Sequence, residues 1–136
     1  MPSSAAIVVI VNSSAGTAAK RERIEVELAD LFRAAGTKTE VVALKRGDDP
    51  TPVARDASAR ASIVVAAGGD GTVSSVAAAV VDSPAALGVL PLGTLNHFAK
   101  DLHIPLDLAD AIKVVAAGHI SHVDVGQVNE IGRAHV

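Results

Sequence analysis

Cysteine is absent from the 136-residue chain, which excludes a disulfide framework and any thiolate metal site. Tryptophan and tyrosine are also absent, and phenylalanine occurs only twice. An aromatic cage or a base-stacking platform has nothing to be built from. No one sign of charge dominates: 12 basic and 15 acidic side chains give a net charge of −3 at pH 7. That balance argues against holding nucleic acid through a basic stripe. A charged fraction of 20% is too low for a disordered tail. The longest apolar run is the seven residues 5–11, far short of the ~20 that cross a bilayer. The opening residues MPSSAAIVVIVN lack the basic start and apolar length of a secretory signal. A soluble, cytoplasmic domain is expected.

What is present is small and apolar. Hydrophobic residues make up 49% of the chain, enough for one core and one compact domain. Ala and Val supply 46 of the 136 residues, a composition suited to helices packed closely on a buried sheet.

Two periodicities alternate along the chain. Residues 5–11 form a continuous β-branched run, as in a strand buried on both faces of a parallel sheet. Asn12-Ser13-Ser14-Ala15-Gly16 interrupts it. Ile24, Leu28, Leu31 and Phe32 then recur at helical spacing, predicting a helix over 20–35 that Gly36 ends. A strand at 40–44, a polar loop at 45–50 and a weaker helix at 51–61 follow. A third buried strand at 62–67 stops at Gly68-Gly69-Asp70-Gly71-Thr72, before an Ala/Val-rich helix at 73–81. A short strand at 87–90 leads through Pro91-Leu92-Gly93-Thr94 into a helix at 95–102. Ile104-Pro105 stops that helix; another follows at 108–117, then a looser strand at 120–128. Alternating strands and helices imply right-handed crossovers and a three-layer α/β domain around a parallel sheet, Rossmann-like in outline.

Ligands of such sheets lie beyond the carboxyl ends of the strands, where three turns fall. In the middle one, glycines at 68, 69 and 71 let backbone approach an anion and aim N–H groups at it. The following helix adds its N-terminal partial charge, completing a phosphate cradle. Asp70 fits if it acts through Mg²⁺ or accepts backbone hydrogen bonds, although a Gly-rich turn with Asp is also an ordinary βα connection. Thr94 either caps the next helix or donates to a phosphate. Asn96 and His97 fall in that helix's first turn, and His97 reads equally as a surface or capping residue. Asn12 and Ser14 offer an amide and a hydroxyl, or simply form a turn. His119 and His122 are badly spaced for metal, so no resident metal site is expected. Lys45-Arg46 and Asp48-Asp49 read as a solvated loop. No Walker-type phosphate loop is present, and no Gly-x-Gly-x-x-Gly follows the first strand, which disfavours a dinucleotide oxidoreductase.

Gly68-Gly69-Asp70-Gly71-Thr72 followed by Leu90-Pro91-Leu92-Gly93-Thr94-Leu95-Asn96-His97-Phe98-Ala99 resembles the diacylglycerol kinase catalytic domain, a family that includes bacterial lipid kinases and sphingosine kinases. Val11-Asn12-Ser13-Ser14-Ala15-Gly16 looks like a variant of that family's opening Asn-Pro-x-Ser-Gly turn, and Val123-Asp124-Val125-Gly126 like its Asp-containing strand. The resemblance implies a nucleotide-binding domain of the fold shared with NAD kinase. Its activity would be ATP-dependent, Mg²⁺-assisted phosphorylation of the hydroxyl of diacylglycerol or a related lipid. Asn12, Ser13, Ser14, Gly16, Gly68, Gly69, Asp70, Gly71, Thr72, Thr94 and Asn96 would then surround the nucleotide. The lipid would be met peripherally, at the inner membrane face. An NAD kinase-like enzyme and a non-catalytic nucleotide-binding module are the competing readings.

The chain departs from the family pattern in places. Ser13 replaces a proline, and Ala15 lies where Ser is often found. Ala43 stands where relatives can carry a nucleotide-contacting Thr, Ser75 where many have Glu, and His97 where Asp is frequent. Family members also carry a C-terminal β-rich domain that supplies lipid contacts and the expected general base. The expectation is therefore a fragment over 1–129, truncated near the domain junction and unable to turn over alone. Residues 130–136 are expected to be non-native. Residues 131–136, IGRAHV, translate ATCGGAAGAGCACACGTC, a run of sequencing-adaptor DNA, and Glu130 fits a codon ending in AG.

Overall fold

The computed structural model of the chain describes residues 6–12, 17–45, 47–92, 100 and 107–117. Four parallel strands lie in the order β2-β1-β3-β4: β1 Ile7–Val11, β2 Thr39–Ala43, β3 Ile63–Gly68 and β4 Ala86–Pro91. Helices α1 Ala18–Ala34, α2 Pro50–Ser58, α3 Asp70–Val80 and α4 Leu108–Ala116 cover the sheet.

Every residue of β1 is buried, as its β-branched run requires of a central strand with helices on both sides. Successive β1 side chains feed two cores. Val8 and Ile10 pack with Ala54 and Ala57 of α2 and with Val73, Val76 and Val80 of α3. Ile7, Val9 and Val11 pack with Leu28 and Phe32 of α1 and with Ala111, Ile112 and Val115 of α4. The expected three-layer parallel architecture is therefore present. On β4, Gly88 lets a helix come close: a Cβ there would lie 3.0 Å from Val65 Cγ2 and 3.3 Å from Val115 Cγ2.

Several boundaries move. The helix expected at 73–81 begins at Asp70, because the first turn of a helix tolerates the low propensity of Asp, Gly and Thr. The strand before it runs on through Gly68 rather than stopping at 67. The helix expected at 20–35 starts at Ala18, where the Thr17 side chain caps it by accepting from Lys20 N–H at 3.1 Å. Gly36 ends it as expected, with φ 82°. The helix expected at 51–61 spans Pro50–Ser58, and its cap comes from the polar loop: Asp49 accepts from Thr51 N–H at 3.0 Å. The strands expected at 40–44 and 87–90 are Thr39–Ala43 and Ala86–Pro91. The helix at 108–117 ends at Ala116. The helix at 95–102, apart from residue 100, the strand at 120–128 and the tail at 130–136 lie outside the described residues. Among the described residues no helix is long and apolar enough to cross a membrane.

At the amino edge of the sheet, Arg60 forks onto Glu40 of β2 at 2.6 and 3.1 Å and reaches Asp56 of α2 at 3.0 Å. Glu40 first, and Asp56 second, hold its guanidinium still more firmly protonated than usual.

Phe32 is wholly buried against the sheet. Phe32→Ala should cost about 3–5 kcal/mol, read from urea denaturation by far-UV circular dichroism. Asp49 gives a pH signature. The Thr51 N–H bond holds its carboxyl below the ordinary value. Its capping contribution is therefore complete above the usual carboxylate range and is lost as pH falls through the lower folded value. Asp49→Asn, which keeps an acceptor without a charge, should show a flatter dependence of stability on pH over that acid interval.

Candidate functional site

The strand order places a switch point between β1 and β3. The chain leaves β1 through α1 towards one face and leaves β3 through α3 towards the other, which opens a crevice at their carboxyl ends. Val11 pairs with both Ala43 and Ala67, and Gly68 pairs with Pro91, so the four strand ends are in line. Backbone bonds continue just past them: Leu44 N–H donates to Val11 O at 2.8 Å, Asn12 N–H to Ala67 O at 2.9 Å, and Leu92 N–H to Gly68 O at 3.1 Å.

Two of these ends are tied by side chains. Asn12 Nδ2 donates to Thr72 Oγ1 at 3.0 Å, linking residues 60 positions apart. Gly68 makes that approach possible. A Cβ on Gly68 would lie 3.0 Å from the Asn12 carbonyl oxygen, 3.0 Å from Thr72 Cβ and 3.1 Å from Thr72 Oγ1. Gly71 is different: among the described residues, a Cβ there would meet nothing within 4 Å. Packing demands glycine at 68, whereas at 71 it leaves open space beside the first turn of α3. Gly69 is the N-cap of α3 and contributes no side-chain cap bond to its first turn. Asp70 is half-buried in that turn, Gly71 exposed and Thr72 buried.

Of the expected site residues, Asn12, Gly68, Gly69, Asp70, Gly71 and Thr72 therefore come together around one crevice. Ser13, Ser14, Gly16, Thr94 and Asn96, together with Ala15 and His97, lie outside the described residues. Ala43 ends β2 on the same carboxyl edge and is exposed, while Ser74 and Ser75 are half-buried further along α3. Among the described residues no three His, Asp or Glu side chains gather as a metal site. The side-chain bond between Asn12 and Thr72 was not anticipated. Only the register of β1 against β3 brings the two residues together, and local spacing carries no trace of it.

The chain matches the diacylglycerol kinase catalytic domain over residues 6–128. It belongs to that family. A diacylglycerol kinase of Staphylococcus saprophyticus is 39% identical over 98 residues, covering 70% of this chain and 32% of the relative. A diacylglycerol kinase of Staphylococcus aureus is 35% identical over 127 residues, covering 89% of this chain and 39% of the relative. The fold matches that of a Bacillus anthracis diacylglycerol kinase with a TM-score of 0.66 at 24% identity, over 89% of this chain and 42% of the other. A second Bacillus anthracis structure gives a TM-score of 0.73 at 23% identity, over 89% and 42% of the two chains. The chain thus spans about a third to two-fifths of the length of these curated relatives. Of the two kinase branches considered from the sequence, the family match falls on the diacylglycerol one.

The two crevice glycines should separate on substitution. Gly68→Ala should lower the melting temperature by several degrees, because backbone rather than a flexible side chain stands in its way. Gly71→Ala should leave it unchanged or raise stability by up to ~1 kcal/mol through helix propensity. Thermal melts followed at 222 nm would check both.

Proposed function

We propose that this chain is the nucleotide-binding part of an ATP-dependent lipid kinase, which transfers a phosphoryl group to the hydroxyl of diacylglycerol or a related lipid. The reading rests above all on one observation: α3 starts at the β1–β3 crevice on a glycine that gives no side-chain cap bond, and among the described residues nothing would meet a Cβ at Gly71 within 4 Å. Such a helix end presents backbone N–H groups and partial positive charge to phosphate oxygens. Membership of the diacylglycerol kinase family supports the assignment.

In this reading Gly68, Gly69, Asp70, Gly71 and Thr72 cradle the phosphates, with Asn12, Ser13, Ser14 and Gly16 on one side and Thr94 and Asn96 on the other. Phosphoryl transfer asks the protein mainly for positioning and charge neutralisation. Main-chain N–H groups of the first α3 turn supply fixed donors, and their rigid helix means little reorganisation as charge shifts. Asp70 is the acidic residue in the first turn of α3. A single carboxylate fits Mg²⁺, which commonly takes one or two carboxylates plus substrate phosphates. Bound there, the ion would offset phosphate charge. The lipid hydroxyl needs a base at hydrogen-bond distance; we place it in the part of the whole protein that this chain does not span. Contact with the lipid is assigned to a peripheral encounter at the inner membrane face.

Calorimetry on the 136-residue chain should show saturable Mg-ATP binding, with Kd between ~1 μM and ~1 mM, the range usual for enzyme substrates. Gly71→Leu, which fills the open space, should weaken that binding at least ~10-fold through lost charge-assisted contacts. Its melting temperature should stay near that of the parent. A folded chain that gives no Mg-ATP signal would overturn the reading.

A further inference from the structure

The turn between β2 and α2 reaches the same carboxyl edge as the crevice. Val11 pairs with Ala43, and Leu44 N–H donates to Val11 O at 2.8 Å, so the next residue, Lys45, stands beside the end of β1. Ala43 is exposed but has no polar side-chain atom, and Leu44 is buried, which makes Lys45 the first polar side chain past β2. The backbone of this turn closes on itself. Lys45 N–H donates to Asp48 Oδ2 at 2.9 Å, Asp48 N–H returns to Lys45 O at 3.0 Å, and Gly47 takes a φ of 89° that suits glycine. Both carboxylates of the turn are held by main-chain N–H groups, Asp48 by that of Lys45 and Asp49 by that of Thr51 at 3.0 Å. No carboxylate among the described residues pairs with the exposed Lys45 ammonium.

The described walls of the crevice bring no positive side chain of their own. Asn12, Gly68, Gly69, Gly71 and Thr72 are neutral and Asp70 is acidic, whereas a polyphosphate calls for charge neutralisation. Of the described residues that stand first or second past a strand's carboxyl end, Lys45 alone is basic. We infer that Lys45 is the cation of this chain that draws nucleotide phosphates to the crevice. The inference rests on the nucleotide reading above and adds to it a source of positive charge. Neighbouring strands lie about 5 Å apart, and the flexible lysine stem spans about 6 Å. An ammonium anchored past β2 can therefore swing over the end of β1, within the ~8 Å over which charges act at physiological salt. Such attraction needs proximity and no fixed direction, unlike the main-chain donors of α3.

Calorimetric Mg-ATP affinity, with the charge at position 45 varied, tests the idea. Lys45→Arg should bind as the parent does, and Lys45→Gln about 3- to 10-fold more weakly, as for a unit charge about 8 Å from a doubly charged anion. Lys45→Glu should lose roughly the square of that factor, being two charges removed from the parent. At about 1 M salt, where the screening length is about 3 Å, the differences should fall below about 2-fold. Melting temperatures of the variants should stay together, because the hydrogen bonds of the turn are made by the Lys45 main chain. Lys113→Gln is the control: it removes one positive charge from α4, beside Leu31, Ala34 and Ala35 at the far end of α1, and should leave affinity unchanged. Affinity that does not follow the charge at position 45, or that falls as much for Lys113→Gln, would overturn the inference and leave the nucleotide reading intact. A folded parent chain that binds no Mg-ATP would remove both.

Discussion

Where the carboxyl ends of β1 and β3 meet, the missing side chain of Gly68 leaves room for the Asn12 carbonyl and the Thr72 side chain. Both crowd the space that a Cβ at position 68 would need. Here Asn12 Nδ2 comes within 3.0 Å of Thr72 Oγ1, and the first turn of α3 is thereby tied to the end of β1. The connections that leave the two strands diverge to opposite faces of the sheet and open the crevice beside this tie. A neutral hydrogen bond that is partly buried is worth only ~1 kcal/mol, so its importance lies in direction more than in strength.

The rest of the molecule explains how that tie is kept in place. Val8, Val9 and Ile10 are fully buried, and the alternate β1 side chains belong to different cores. A shift of β1 along the sheet by one residue would exchange these sets and disrupt both. The register that places Val11 opposite Ala67 is therefore fixed by packing on two sides. Chemistry at the crevice draws on a scaffold made almost wholly of small and β-branched residues, whose close fit leaves little room for adjustment.

Much of this was legible in the sequence. The apolar runs of β1 and β3 carry no polar alternation, which marks strands covered on both faces, and Ile24, Leu28, Leu31 and Phe32 mark the inner side of α1. Gly36 was readable as a helix terminator because a positive φ there suits glycine. The start of α3 was not readable. Asp70, Gly71 and Thr72 are poor helix formers in isolation, and only their place in the first turn, on a Gly69 cap, lets the helix include them. Asp49 was hidden for a similar reason: within a charged loop its capping role shows only once Thr51 N–H is seen to face it. The Asn12–Thr72 bond depends on strand register, which no local pattern encodes.

The opposite rim of the sheet is fastened by other means. Arg60 joins the outer strand to α2 through Glu40 and Asp56, and all three side chains are at least a third exposed to solvent. Dissolved ions screen such contacts strongly, whereas the glycine-lined junction beside Thr72 carries no net charge to screen. The two rims of one sheet thus answer differently to salt: brine loosens the ion pairs remote from the crevice and spares the neutral Asn12–Thr72 bond.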